Sequence, residues 1–246
     1  MVEQISHVGD HFSLNSTMDA LNDFRPPQRT FDPNGSWNNF YRVLSLAGER
    51  SGHAGDLGIR RSATRDQEAV LEINYRKFLP GGHRQLIVAK MECSIDSLAT
   101  PQGWKSESEI VSPSGERLRH TRLEQRGAVK KGELEIVSGE TVRRIKVPAA
   151  YTCNWALYDA VQRLPRQDTR PLQFTLFDHF DQVKGNHTLS FRKTAVVELG
   201  GQASKLHAYE QLGEGVVPLV YWTDDRGQLL FVISGIEAYV LESEKP

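Results

Sequence analysis

Two clusters in this sequence set imidazole beside carboxylate. Asp178, His179 and Asp181 lie in Asp-His-Phe-Asp, directly after an apolar run that ends at Phe177. A histidine between carboxylates gains basicity and can act as a general base. That would be the chemistry of a hydrolase-like cleft. No nucleophile or second acid accompanies the group, and Asp and His where a chain leaves a strand are also ordinary turn residues. The second cluster is His7, Asp10 and His11. These are metal-ligand types, but so near a terminus they read as a solvated tail. The sequence has no Gly-rich dinucleotide fingerprint, no phosphate loop, no Gly-x-Ser-x-Gly elbow, no paired CxxC and no HExxH. We therefore expect no catalytic set, no metal and no cofactor.

The other candidates are apolar or basic. Aromatic residues gather in the C-terminal half, and Trp155, Tyr158, Phe177, Tyr221 and Trp222 are the expected walls of an apolar ligand site. Such side chains line ligand cavities, and they also make ordinary core. Residues 115–147 carry nine Arg or Lys against five carboxylates, a local charge of +4. Residues 206–246 carry a local charge of −5. Cross-strand ion pairs on wet β faces account for such charges, and a basic face for an anionic headgroup is the alternative. The basic stretch contains no Phe, Trp or Tyr on which bases could stack, so nucleic acid is not an expected partner.

Those residues need elements to hold them, and the elements read mostly as β. The chain has 246 residues, 39% hydrophobic and 25% charged, with 30 basic against 31 acidic residues. That balance excludes wholesale disorder and any global pull towards polyanions. No apolar run is long enough for a transmembrane helix. Residues 1–36, with Pro26-Pro27, Pro33 and Gly35, read as an N-terminal extension, with a short helix over 16–24. From Trp37 the pattern alternates. Strands are expected over 40–46, 69–78, 86–95, 104–111, 118–125, 133–137, 141–147, 172–177, 187–199, 202–212, 216–223, 228–233 and 236–241. Gly48, Gly52, Gly55 and Gly58 read as bends, and Gly200-Gly201 as a two-residue hairpin turn. One helix is expected over 153–164, capped by Thr152 or Asn154 and stopped by Pro165. It is apolar on most sides, so it should lie between two surfaces. The fold class is mainly β: a strongly curved antiparallel sheet or open barrel of about a dozen strands around one central helix. Residues 37–246 read as a single domain.

The stretch Val220-Tyr221-Trp222-Thr223-Asp224-Asp225-Arg226-Gly227-Gln228-Leu229-Leu230 is an aromatic strand, an acidic turn with Gly, and an apolar strand. It resembles the closing hairpin of a bacterial family of unknown function, mostly periplasmic antiparallel β proteins. In shape those proteins are similar to the half-barrels of outer-membrane lipoprotein carriers, which hold acyl chains against a curved sheet. The resemblance implies a periplasmic, non-enzymatic protein and supplies no catalytic residues. The N-terminus, Met1-Val2-Glu3-Gln4, lacks the basic start and apolar stretch of a secretory signal. The expected location is thus periplasmic if a signal was removed and cytoplasmic otherwise. Cys93 and Cys153 fit either two buried thiols or one disulfide.

Three functions follow. The leading one is a non-enzymatic protein that binds an apolar or acyl ligand, such as a lipid, between sheet and helix. The others are an enzyme using Asp178, His179 and Asp181, and an envelope structural or assembly module that pairs through a sheet edge. The oligomeric state is left open.

Overall fold

The computed structural model describes residues 24–28, 30–46, 52–64, 68–130, 132–166 and 170–242. The expected helix at 16–24 and the His7, Asp10, His11 cluster therefore lie outside the described residues, Phe24 excepted. Fifteen strands follow one another: β1 (Trp37–Ser45), β2 (Gly52–Ala63), β3 (Glu68–Phe78), β4 (Arg84–Ser94), β5 (Pro101–Val111), β6 (Leu123–Lys130), β7 (Glu133–Ser138), β8 (Thr141–Lys146), β9 (Tyr151–Cys153), β10 (Leu172–Asp178), β11 (Gln182–Leu199), β12 (Gln202–Leu212), β13 (Leu219–Asp224), β14 (Leu229–Ile233) and β15 (Glu237–Glu242). Among the described residues there is one α-helix, α1 (Asn154–Ala160), which continues into a 3-10 turn at Val161–Arg163. All strands join one sheet in the order β8-β7-β6-β5-β4-β3-β2-β1-β15-β14-β13-β12-β11-β10-β9. Every pair is antiparallel except β9 with β10, which the crossover through α1 makes parallel.

The alternation seen in the sequence sets which face is dry. In β3, Ala69, Leu71, Ile73 and Tyr75 are buried, and their cross-strand partners Cys93, Met91 and Ala89 continue the same face. That face receives α1, whose residues Trp155 to Ala160 are all buried. A sheet this wide must curl or split, and here it rolls around the helix. Strands β1 and β15 form the seam between the two halves of the chain. The far side closes by side chains rather than by a ladder. Tyr151 Oη donates to the Pro101 carbonyl at 2.7 Å, Thr152 Oγ1 to the Leu98 carbonyl at 2.6 Å, and Thr100 Oγ1 to the Tyr151 carbonyl at 3.2 Å. The short β9 edge is thereby covered. Beyond it, β6 to β8 project as a flange whose last strand bears Arg143, Arg144 and Lys146, the charged kind of edge that resists strand addition.

Three details depart from the expectation. The glycines at 52, 55 and 58 lie within one twelve-residue strand, β2, whose pairing with β1 shifts register beside Gly55, rather than in separate bends. A Cβ at Gly55 would overlap the Arg76 carbonyl of the neighbouring strand, so the glycine permits close pairing there. The strand expected at 118–125 begins at Leu123, because Thr121 bonds back to Leu118 and Ile110 and holds the preceding residues in a turn. Helix α1 is capped by Cys153, whose Sγ accepts from the Ala156 N–H at 3.4 Å. The hairpin at Gly200-Gly201 forms as expected, both glycines having positive φ (58° and 79°).

Two contacts fix the interior. Asp159 on α1 is ion-paired at 2.9 Å to Arg61 on β2 and at 2.9 Å to Arg163, one helical turn on. Arg61 is fully buried and also donates to the Asn34 and Gly35 carbonyls, which ties the segment before β1 to the helix. On the flange, Trp104 lies over Gly127, its cross-strand partner, and stacks on Phe180 with centroids 5.0 Å apart. A Cβ at 127 would overlap the indole.

Removing one partner of a buried pair strands the other charge, at a cost of about 3–5 kcal/mol. Asp159→Ala should lose that much in urea unfolding, whereas Arg122→Ala on the surface should lose less than about 1 kcal/mol. Gly127→Ala should lose about 1–3 kcal/mol by overpacking. That loss should vanish when Trp104 is already Ala, as a double-mutant cycle would show.

Candidate functional site

The helix and its surroundings hold most of the expected ligand walls. Trp155, Tyr158, Phe177, Tyr221 and Trp222 are each 1–5% exposed. Tyr158 stands at the centre, edge-on to Tyr41 at 5.5 Å, to Tyr239 at 5.9 Å and to Tyr221 at 6.1 Å. Trp155 leans on Tyr158 and on Tyr75, and Phe177 meets Tyr151. Burial pushes the phenols of Tyr158 and Tyr221 well above the ordinary range, so both stay protonated. The Tyr221 hydroxyl donates to Gln211 Oε1 at 2.7 Å. Trp222 is not brought to this group. Adjacent strand residues point to opposite faces, and Trp222 pairs across the sheet with Phe231, which meets Phe24 at 4.7 Å on the far side. Four of the five thus pack around the helix and the fifth packs beneath the N-terminal segment.

The Asp178, His179, Asp181 group is dispersed. Asp178 and Asp181 flank a tight turn in which His179 and Phe180 both have positive φ, 49° and 62°. Non-glycine residues hold that conformation only when their surroundings enforce it. Here Phe180 is locked by Trp104, and His179 is edge-on to Trp155 at 5.4 Å. Asn154 Oδ1 also accepts from the His179 N–H at 3.1 Å. Asp178 binds His179 Nδ1 at 2.7 Å and Lys184 at 2.6 Å. Asp181 instead turns to Arg143 on β8. The histidine bond, helped by Lys184, holds the Asp178 carboxyl down at about 2. The His179 side chain is 54% exposed and lines neither of the grooves described below. The arrangement clamps a strained turn.

Cys93 and Cys153 are buried and unbonded. A helix N-terminus ordinarily lowers a thiol pKa. At Cys153 burial outweighs it and pushes the thiol up to about 12, while Cys93 is raised well above its ordinary value for the same reason. Both remain neutral thiols, without nucleophilic character.

The concave feature lies on the other face of the sheet. An open groove of about 720 Å³ crosses β3 to β7 on the side facing away from the helix. Cross-strand register puts Glu72, Lys90, Lys105, Arg126 and Val137 in one row along it. The next row is Asn74, Val88, Glu107 and Glu124. A second depression of about 600 Å³ shares Lys90, Lys105, Arg126 and Val137, with Gly103 and Ala128 as its low floor. Arg122 neutralises both Glu107 and Glu124, at 2.9 and 2.5 Å. Most cations of the basic stretch are paired in this manner: Arg117 with Glu109, Arg144 and Lys130 with Glu135. The expected ion pairs thus account for most of the stretch, and among the described residues Arg119, Arg126 and Lys146 stand outside them. Lys90, Lys105 and Val88 drew no notice in the sequence, because only strand register assembles them. Among the described residues no group of three or more His, Cys, Asp or Glu could hold a metal ion, and no helix is long and apolar enough to cross a membrane.

Asp178 has a depressed pKa, so it stabilises the fold above its unfolded value near 3.8. That contribution is lost as pH falls through the folded value of about 2, and it amounts to on the order of 2 kcal/mol at most. Urea unfolding of wild type and Asp178→Asn should differ by this amount at pH 5 and converge towards pH 2. A constant difference down to pH 2 would contradict the assignment.

No family model and no curated protein matches the chain. Among solved structures it is similar to the crystal structure of a beta-barrel-like protein of domain of unknown function DUF1849 from Brucella abortus. The TM-score is 0.56 at 9% identity, over 85% of this chain and 96% of that one. The similarity shows a shared fold: the chain is a barrel-like β protein built on one curved, almost wholly antiparallel sheet.

Proposed function

We propose that the protein is a non-enzymatic binding protein and that its ligand occupies the open groove across β3 to β7. The observation that carries this reading is the division of labour between the faces. On the helix side, where an apolar or acyl ligand was expected, the aromatic side chains are buried against one another. On the opposite side the sheet has room for a ligand of moderate size, since binding clefts commonly span about 300–1,000 Å³. The groove mixes charge with aliphatic surface, for Val88 is 55% exposed at its rim. An acyl-bearing ligand suits such a surface, because each buried methylene contributes about 0.8 kcal/mol. A lipid ligand and a periplasmic setting belong to the same proposal, and rest on the resemblance carried by residues 220–230.

Native mass spectrometry after gentle purification tests it. We expect a bound small molecule, lost on denaturation, whose occupancy falls several-fold in Val88→Asp. Occupancy unchanged by Val88→Asp but reduced by Trp155→Ala would move the ligand to the helix side. A bare protein mass, with no small amphiphile perturbing the groove in a binding screen, would remove the function.

A further inference from the structure

We infer that the groove takes the anionic head of an amphiphile, a phosphate, sulfate or carboxylate carried on an aliphatic tail; this rests on the groove's being the binding site. Three cations stand in one cross-strand row. Lys90 faces Lys105 across β4 and β5, and Lys105 faces Arg126 across β5 and β6. Neighbouring strands are only about 4.8 Å apart, so the row spans roughly 10 Å. Like charges directly opposite one another in a sheet are destabilising; where the next row sets Glu107 opposite Glu124, Arg122 holds both, and most charges of this surface are paired in that way.

The row departs from that habit. Among the described residues, neither Lys105 nor Arg126 has a carboxylate or hydrogen-bond partner, and Lys90 reaches only Glu72 at 3.7 Å. Glu72 is itself shared with Arg60 at 3.8 Å. Lys105 and Arg126 therefore have no direct counter-ion: of the nearby glutamates, Glu107 and Glu124 are held by Arg122 and Glu135 by Lys130 and Arg144, while Glu92 lines the adjoining depression. An oxyanion between Lys105 and Arg126 would supply the counter-ion, with the guanidinium able to hold two oxygens at once. Aliphatic side chains touch the row at two places, and the flanking rows otherwise carry Glu107 and Glu124 on one side and Glu92 and Glu135 on the other. Val137 is the direct partner of Arg126, and Val88 lies two residues from Lys90 on the same face. A cationic pair with Val137 at the end of its row and Val88 diagonal to Lys105 in the next row fits a head and tail better than a bare inorganic ion.

Dodecyl phosphate, used below its critical micelle concentration, is the probe. Inorganic phosphate and the neutral-headed dodecyl maltoside are its comparisons, with binding read by calorimetry and by amide shifts in β4 to β6. Dodecyl phosphate should bind at least tenfold tighter than either comparison, and more weakly as salt rises. The Lys105→Gln, Arg126→Gln double variant should lose at least tenfold in affinity. Both side chains are exposed, so its melting temperature should match wild type, which separates lost binding from lost fold. Equal affinity for the two dodecyl compounds, unchanged in the variant, would overturn the anionic head and leave the groove in place. Inorganic phosphate binding as well as dodecyl phosphate would overturn the amphiphile. No binding by any probe, with no shifts in β4 to β6, would overturn the inference and count against the groove itself.

Discussion

Inside the roll, one carboxylate stands between two guanidinium groups. Asp159 on the helix meets Arg61 from β2 and Arg163 from the following turn, and all three are buried or nearly so. Burial raises the Asp159 pKa while the two arginines, Arg163 foremost, lower it. Such a cluster adds little net stability compared with an apolar replacement, but no member can be moved without stranding another. It therefore acts as a locator. It fixes the helix to the first half of the sheet, and the Tyr41, Tyr158, Tyr221 and Tyr239 cluster fixes it to the second. Gln162 completes the attachment: its Oε1 accepts from the Leu229 N–H at 3.0 Å and from Asn39.

With the helix so placed, the two faces of the sheet have different tasks. The inner face spends its side chains on the helix and on closure against β9. The outer face of β3 to β7 has no such obligation. Alternation then decides which side chains stand on the outer groove: Lys90, Lys105 and Arg126 by parity, with Met91 and Trp104 on the inner face. The flange beyond β5 depends on the same rule, since Trp104 can lie flat only over a residue without a Cβ. The strained turn at His179 and Phe180 secures that flange, because Phe180 stacks on Trp104 while Asp181 reaches Arg143.

Much of this was legible in the sequence. Ala69, Leu71, Ile73 and Tyr75 mark β3 by strict alternation, and Gly200-Gly201 marks its hairpin. Cys153 to Leu164 lacks breakers and is apolar on most sides, which fits its central place. The strand β2 was hidden because Gly52, Gly55 and Gly58 carry no hydrophobic pattern; of the three, Gly55 serves close pairing, which only the neighbouring strand reveals. The residues expected as aromatic walls are all buried, but Tyr221 and Trp222 are consecutive strand residues and so face opposite ways. Alternation alone could have separated them. The groove was out of reach for another reason. Lys90, Lys105 and Arg126 come from three strands, and only the register of two hairpins brings them into line.

The central claim is that the helix side is a sealed core pinned by Asp159, which leaves the outer groove as the place where we propose a ligand. Native-state hydrogen exchange of the amides of residues 155–163 tests this most directly. If the core is sealed, these amides exchange only through global unfolding, with the same denaturant dependence as Leu71 and Ile73. Exchange through a smaller opening, with little denaturant dependence, would show the helix lifting from the sheet as a lid and would contradict the account.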